Sequence, residues 1–161
     1  MKTFAFKTES EQQSHDFGLT LGSLLKVGDF VGLSGQLGAG KTLISRAVAE
    51  GAGIDPQEVS SPTYSILQSY QGPRLNLLHA DLYRLTDEAD LYATGYFDLL
   101  ETEAAFLVEW IERVPSAAPA DALLIAITVN EDQRSFDLRA TGTRAEALLA
   151  AIAAALSANS Q

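Results

Sequence analysis

The chain has no cysteine, so neither disulfides nor thiolate-bound metals are available to it. Its two histidines, His15 and His79, are too few for a histidine-rich metal centre. Basic residues are scarce as well: 11 Lys and Arg stand against 21 Asp and Glu, for a net charge of −10. The basic residues are scattered singly and form no block, a poor basis for gripping a polyanion directly. No apolar run approaches the ~18–20 residues that a membrane span requires. The opening "MKTFAFKTESEQQ" lacks the apolar stretch and small-residue cleavage pattern of a signal peptide, so the expected address is the cytoplasm, with no membrane partner. Internal repeats are absent, and the alanine-rich end is explained by helix propensity.

What remains is a chain of 161 residues, 47% of them apolar, which suits one domain with a core of its own, spanning 1–161. "TFAFK" alternates as a short strand, and "TESEQQSHDFGLTLGSLLK" follows as a helix with Phe17, Leu21, Leu24 and Leu25 on one face. The spacing of Thr8 and Glu11 predicts a capping box at its start. "FVGLS" is a buried strand, and a helix is expected from Lys41 to Ala52, ended by Gly53 and Pro56. Tyr64 to Tyr83 reads as a hairpin turning at "QGPR". "TDEADLYATGYFDLLE" gives short helices broken at Gly95, and "AAFLVEW" gives an apolar strand ending in an acid. After the loop "PSAAPADA", "LLIAITV" and "SFDLRA" are strands, and "TRAEALLAAIAAALSA" is a closing helix. Strands and helices mixed along one chain, with strands this apolar, predict an α/β fold whose sheet is covered on both faces.

The densest signal lies between the second strand and the second helix. "GQLGAGKT", Gly35 to Thr42, satisfies G-x-x-x-x-G-K-S/T. A loop wrapped around phosphates turns its N–H groups inward, and Gly35, Gly38 and Gly40, with the small Ala39, keep side chains out of the way. Leu37 belongs to the same turn. The following helix aims its positive end at the same anion. Lys41 adds a full charge on the β- and γ-phosphates, and the Thr42 hydroxyl suits Mg²⁺. A further acidic contact to the metal is expected at the end of a neighbouring apolar strand, and both Glu109 in "AFLVEW" and Asp81 in "LNLLHADLYR" stand there. Each is equally readable as an ordinary strand-end carboxylate. Trp110, the one tryptophan, reads on its own as a half-buried core aromatic, and His79 as a structural strand residue. Arg84 either stabilises transferred charge or pairs with Asp81 or Glu88. Arg134 is a candidate for the adenine or ribose. The N-K-x-D motif of GTPases is absent, as is the D-x-x-G that follows their second strand, and "LSGQ" overlaps the phosphate loop, so it is no separate transporter-ATPase signature.

In order, the segments "SGQLGAGKT", "SSPTYSILQSY", "LLHADLYRL", "FLVEWIERV" and "LLIAITV" resemble the bacterial TsaE (YjeE) family. The two motifs H-x-D-x-Y-R (His79, Asp81, Tyr83, Arg84) and E-W-x-E-R (Glu109, Trp110, Glu112, Arg113) carry the resemblance more specifically than the phosphate loop does. It runs from about Phe4 to Arg139. The resemblance implies a P-loop NTPase fold, mostly parallel with an antiparallel addition. It implies an ATPase needed for threonylcarbamoylation of the adenosine beside the anticodon of certain tRNAs. The implied partners are TsaD and TsaB, with tRNA reached only through that complex, and the implied ligands are ATP or ADP and Mg²⁺. On the same footing Thr63 of "SPT" would be a switch-like residue near the γ-phosphate, Thr42 and Glu109 would hold Mg²⁺, Asp81 would lie by the metal and its water, and Trp110 would lie near the nucleotide. Leu43 stands where the family often has a second threonine, and Thr42 keeps the metal role. Two other classes fit a phosphate loop of this size. One is a small-molecule kinase, although Pro115 to Glu131 offers no basic residue for a lid. The other is a nucleotide-sensing interaction module without useful turnover.

Overall fold

Alternation along the strands sorts the core into two layers. In β2 (Phe30–Gly35), Val31 and Leu33 point to one side of the sheet and Phe30 to the other; in β5 (Ala105–Glu109), Ala105 and Leu107 oppose Phe106 and Val108. All of these are buried. Side chains alternate across a strand, so a strand apolar at every position must be covered on both faces. The computed structural model, which describes residues 2–59 and 66–159, shows how that is done.

Among the described residues, seven strands form one sheet. In chain order they are β1 (Thr3–Thr8), β2, β3 (Leu67–Gln71), β4 (Asn76–Asp81), β5, β6 (Leu123–Asn130) and β7 (Gln133–Ala140). Their order across the sheet is β1-β7-β6-β2-β5-β4-β3. The central four, β6-β2-β5-β4, are parallel. Antiparallel strands extend both sides, β7 and β1 next to β6, and β3 next to β4. The expected antiparallel addition is therefore present at each edge.

One face carries α1 (Glu11–Leu24), α2 (Lys41–Gly51) and α5 (Thr143–Asn159); the other carries α3 (Glu88–Ala93), α4 (Tyr96–Leu99) and the 3-10 turns Ile111–Arg113 and Pro115–Ala117. Helices α1 and α2 approach unusually closely. A Cβ on Gly22 would stand 2.0 Å from the Val48 carbonyl oxygen, so only glycine permits that crossing. Phe6, Phe17 and Phe136 pack ring to ring, at 4.7–5.0 Å between centroids, and join β1, α1 and β7.

One local expectation is corrected. The cap of α1 is not Thr8 with Glu11 but Ser10 with Gln13. The Gln13 N–H donates to Ser10 Oγ at 3.1 Å, and Gln13 Oε1 accepts from the Glu9 N–H at 2.8 Å. Thr8 is the last residue of β1, and its buried hydroxyl bonds the Ser14 hydroxyl instead, at 2.7 Å. Strand pairing took the residue that local spacing assigned to the helix.

Candidate functional site

Parallel strands end at one edge of a sheet with their C-terminal residues side by side, and ligands of open α/β sheets collect there. Here β2 runs into the glycine loop, and β4 and β5 bring Asp81 and Glu109 into register as direct neighbours. Leu33 of β2 pairs with Glu109 on the other side. Both strand-end carboxylates thus lie beside the start of the loop.

Gly40 caps α2 with φ of +102°, a left-handed conformation that glycine alone adopts without strain. The first intrahelical bond of α2 runs from the Ile44 N–H to the Gly40 carbonyl, at 3.0 Å. The N–H groups of Lys41, Thr42 and Leu43 are consequently unused inside the helix and remain at its positive end. Leu37 is 79% exposed at the tip of the loop, Ala39 is buried beneath it, and Thr42 is exposed at the start of the helix.

Lys41 is 5% exposed, far less than a snorkelling surface lysine. Its ammonium donates to the Gly35 carbonyl and, at 2.8 Å, to that of Gln36. It also lies 3.8 Å from the centroid of the Trp110 ring. Burial pushes its pKa below the ordinary lysine value, and the charges of Glu112, Glu109 and Asp81 pull the other way. Three acids with one lysine and one indole therefore share this corner. Tyr83 packs on Trp110 at 4.8 Å between centroids, and the Arg113 guanidinium lies over both rings.

Glu109 is 1% exposed, and its Oε2 lies 2.5 Å from His79 Nε2. His79, read from the sequence as structural, touches one of the two acids expected at a metal. Asp81 accepts the Tyr83 N–H at 2.9 Å. Burial raises its pKa above the ordinary carboxylate value, the Tyr83 N–H lowers it, and Glu109 raises it further. Arg134, at the start of β7, donates from Nε to the Ala39 carbonyl at 3.2 Å, so it braces the loop from the opposite side. Arg84 is exposed, and among the described residues no ion pair joins it to Asp81 or Glu88. Thr63 lies outside the described residues.

A cleft of about 590 Å³ opens beside the loop, between the start of α1, the first turn of α2 and the β6–β7 hairpin. Gly38, Gly40, Leu43, Ser14, Arg134 and Asp132 line it. Its volume falls inside the range of small-molecule sites, roughly 300–1,000 Å³. A second cleft of about 540 Å³ covers β1, β7 and β6 on the other face of the sheet. Its lining includes no residue of the loop, only the neighbouring Ser34 and Glu112, and Leu124, Ala126, Pro115 and Ala118 make it largely apolar.

Among the described residues, no group of three or more His, Asp and Glu could hold an ion unaided. The neighbouring strand-end carboxylates Asp81 and Glu109 would fit Mg²⁺, which is typically held by one or two carboxylates together with waters and substrate phosphates. Asp81, Glu109 and the Thr42 hydroxyl are the residues that could contribute. His79, Tyr83, Glu112 and Arg113 also belong to this corner, beyond the residues that the phosphate-loop chemistry alone points to. The signal for them lay in the motifs H-x-D-x-Y-R and E-W-x-E-R.

The family model for threonylcarbamoyl adenosine biosynthesis protein TsaE matches residues 8–136. The chain is 35% identical over 150 residues to the tRNA threonylcarbamoyladenosine biosynthesis protein TsaE of Bacillus subtilis, covering 92% of each chain. It is 37% identical over 125 residues to the protein of the same description from Treponema pallidum, covering 78% of this chain and 91% of that one. Among solved structures, Bacillus subtilis YdiB superposes with a TM-score of 0.77 at 27% identity, covering 94% of this chain and 95% of that one.

Proposed function

The chain belongs to the TsaE family of tRNA threonylcarbamoyladenosine biosynthesis, and from that premise we propose that it is a Mg²⁺-dependent ATPase serving this modification in the cytoplasm together with TsaD and TsaB. The observation that carries the reading is Lys41: a buried lysine at the start of a helix, held by the carbonyls of its own glycine loop and faced by Glu112, Glu109 and Asp81.

ATP would lie with its phosphates on Gly35–Thr42. The open N–H groups of Lys41, Thr42 and Leu43 meet the phosphate oxygens, which satisfies donors that the helix cannot. The Lys41 ammonium exchanges the neutral Gly35 and Gln36 carbonyls for charged oxygens, which are stronger acceptors. The nucleoside would follow into the cleft between Leu43, Ser14 and Arg134. Thr42, Glu109 and Asp81 would hold Mg²⁺, which when bound neutralises charge on the β- and γ-phosphate oxygens. His79 keeps the Glu109 carboxylate oriented toward that edge of the sheet. Asp81 would order the attacking water, and Thr63 would sense the γ-phosphate. Trp110 reports the event, because its ring lies against the lysine that meets the phosphates.

The test is release of inorganic phosphate from ATP by the purified chain, with and without TsaD and TsaB. Phosphate release that requires Mg²⁺ and is lost in Lys41→Ala supports the reading. A phosphorylated metabolite in place of free phosphate would make the chain a kinase. Nucleotide binding with no turnover in either condition would make it a sensing module.

A further inference from the structure

Glu112 stands outside the roles assigned so far, yet it makes the one hydrogen bond described between the turn after β5 and the backbone of the phosphate loop. Its Oε2 accepts the Gly35 N–H at 2.9 Å, across 77 positions of sequence. Gly35 in turn accepts from Lys41 Nζ through its carbonyl. The same carboxylate is the largest of the three acidic influences on the Lys41 ammonium, ahead of Glu109 and Asp81. One glutamate therefore acts on both ends of the contact that anchors the lysine.

The chain goes to some trouble to put it there. Trp110 has φ of +60° and ψ of +41°, a left-handed conformation costing a bulky residue roughly 1–2 kcal/mol. The turn it makes sends Ile111 into the core, 7% exposed, directly over β2. Gly32 admits it: a Cβ there would stand 3.1 Å from Ile111 Cγ1. With Ile111 seated on β2, the next residue arrives at the end of that strand, where Gly35 begins the loop. Strain of this kind persists where the surroundings enforce it, and it concentrates at functional sites.

We propose that Glu112 is the positioning residue of the phosphate loop: it clamps the Gly35 N–H and thereby sets where the loop presents Lys41 to a nucleotide's phosphates. This rests on the phosphate-loop reading above. Two consequences of the side chain oppose each other. As an acceptor it orders the loop and favours binding; as an anion beside a phosphate site it repels the ligand. Replacement by glutamine keeps an acceptor oxygen and removes the charge, whereas alanine removes both.

The experiment is a titration of the full chain with ADP alone, read by calorimetry and by Trp110 emission, for the unaltered protein, Glu112→Gln and Glu112→Ala. Glu112→Gln should bind ADP as tightly as the unaltered chain or a few-fold tighter. Glu112→Ala should bind about tenfold or more weakly, the scale of a lost hydrogen bond to a charged group. A thermal melt of each variant separates this from simple unfolding; should Glu112→Ala fail to fold, the glutamine arm still decides. Tighter binding by both variants would mean the charge alone matters, and unchanged binding by Glu112→Ala would mean the clamp is idle. Weakened binding by a folded Glu112→Gln would show that the acceptor is not what counts. Each of those overturns the assignment while leaving the phosphate loop intact. Failure of the unaltered chain to bind ADP would overturn the loop reading itself and this one with it.

Discussion

Lys41 and Glu109 are both almost fully buried, and that decides how each should be tested. Lys41→Ala removes the ammonium that meets the phosphates, so nucleotide affinity should fall below detection at micromolar ligand. It also removes a buried cation from the face of Trp110, a contact worth about 1–2 kcal/mol. The melting temperature should therefore drop by only a few degrees, roughly 2–4 °C per kcal/mol for a chain of this size, with the fold retained in circular dichroism. Glu109 needs a gentler change, because alanine would strand His79 in the core without its partner at a cost of about 1–3 kcal/mol. Glu109→Gln preserves the shape and a hydrogen-bonding group. It should abolish Mg²⁺-dependent phosphate release while leaving affinity for metal-free ADP within about threefold, since loop N–H groups hold the diphosphate. Normal hydrolysis by Glu109→Gln would remove this residue from the metal site. The loop itself was legible in the sequence because its chemistry is contiguous, eight residues in a row. His79 and Glu112 were not, because each acquires its meaning from a partner 30 or 77 positions away that only the sheet brings near.

At the scale of elements, among the described residues, local rules located each α-helix and strand but not the short 3-10 turns at Pro56–Glu58, Ile111–Arg113 and Pro115–Ala117, and they erred where two elements compete for one residue. Thr8 and Ser10 both precede α1 and both can cap a helix; the pairing of Thr8 with Arg134 in the β1–β7 ladder withdraws the first and leaves the second. Ser10→Ala should accordingly cost about 1 kcal/mol in a urea titration, the usual value of an N-cap, whereas Glu11→Ala should cost only the smaller part, about 0.3 kcal/mol, of an exposed acid in the first helical turn. A different limit applies to α1 and α2. That Gly22 is a contact glycine cannot be read from its helix, where it looks merely unfavourable. Its Cβ would stand 2.0 Å from a backbone oxygen of α2, which no side-chain rotation can relieve. Gly22→Ala should destabilise the fold by about 2–3 kcal/mol or more, even though alanine is the better helix former. Stabilisation in the same urea titration would show that the two helices separate at little cost. Helix α2 carries Lys41 and Thr42, so a shift there should also weaken ADP binding.

For the molecule as a whole, the class of fold followed from the apolar strands, but the order β1-β7-β6-β2-β5-β4-β3 did not. Strand order depends on crossovers and edges, which leave no periodic mark in sequence; it is this order that sets β5 beside β2 and β4 beside β5 and so assembles the site. The whole-chain charge of −10 argues that the protein does not grip tRNA alone, so nanomolar tRNA binding at physiological salt is not expected. Of the arginines near the loop, Arg113 lies over Tyr83 and Trp110 and Arg134 donates to Ala39. An arginine supplied to the transition state can be worth ~10³-fold or more; with Arg113 and Arg134 engaged and Arg84 exposed to solvent rather than held at the loop, turnover by the isolated chain should be slow and should rise when the proposed partners TsaD and TsaB are added. Binding linkage then requires ATP to strengthen that association by the same factor by which the partners strengthen ATP binding. The central claim is that Lys41 and its loop bind ATP for hydrolysis. The most direct measurement is phosphate release from Mg·ATP by the purified chain, alone and with the two partner proteins, with Lys41→Ala run beside it. Slow release alone, faster release with the proposed partners, and none from Lys41→Ala in either condition are expected; equal release by Lys41→Ala and the unaltered chain would contradict a nucleotide site at Lys41.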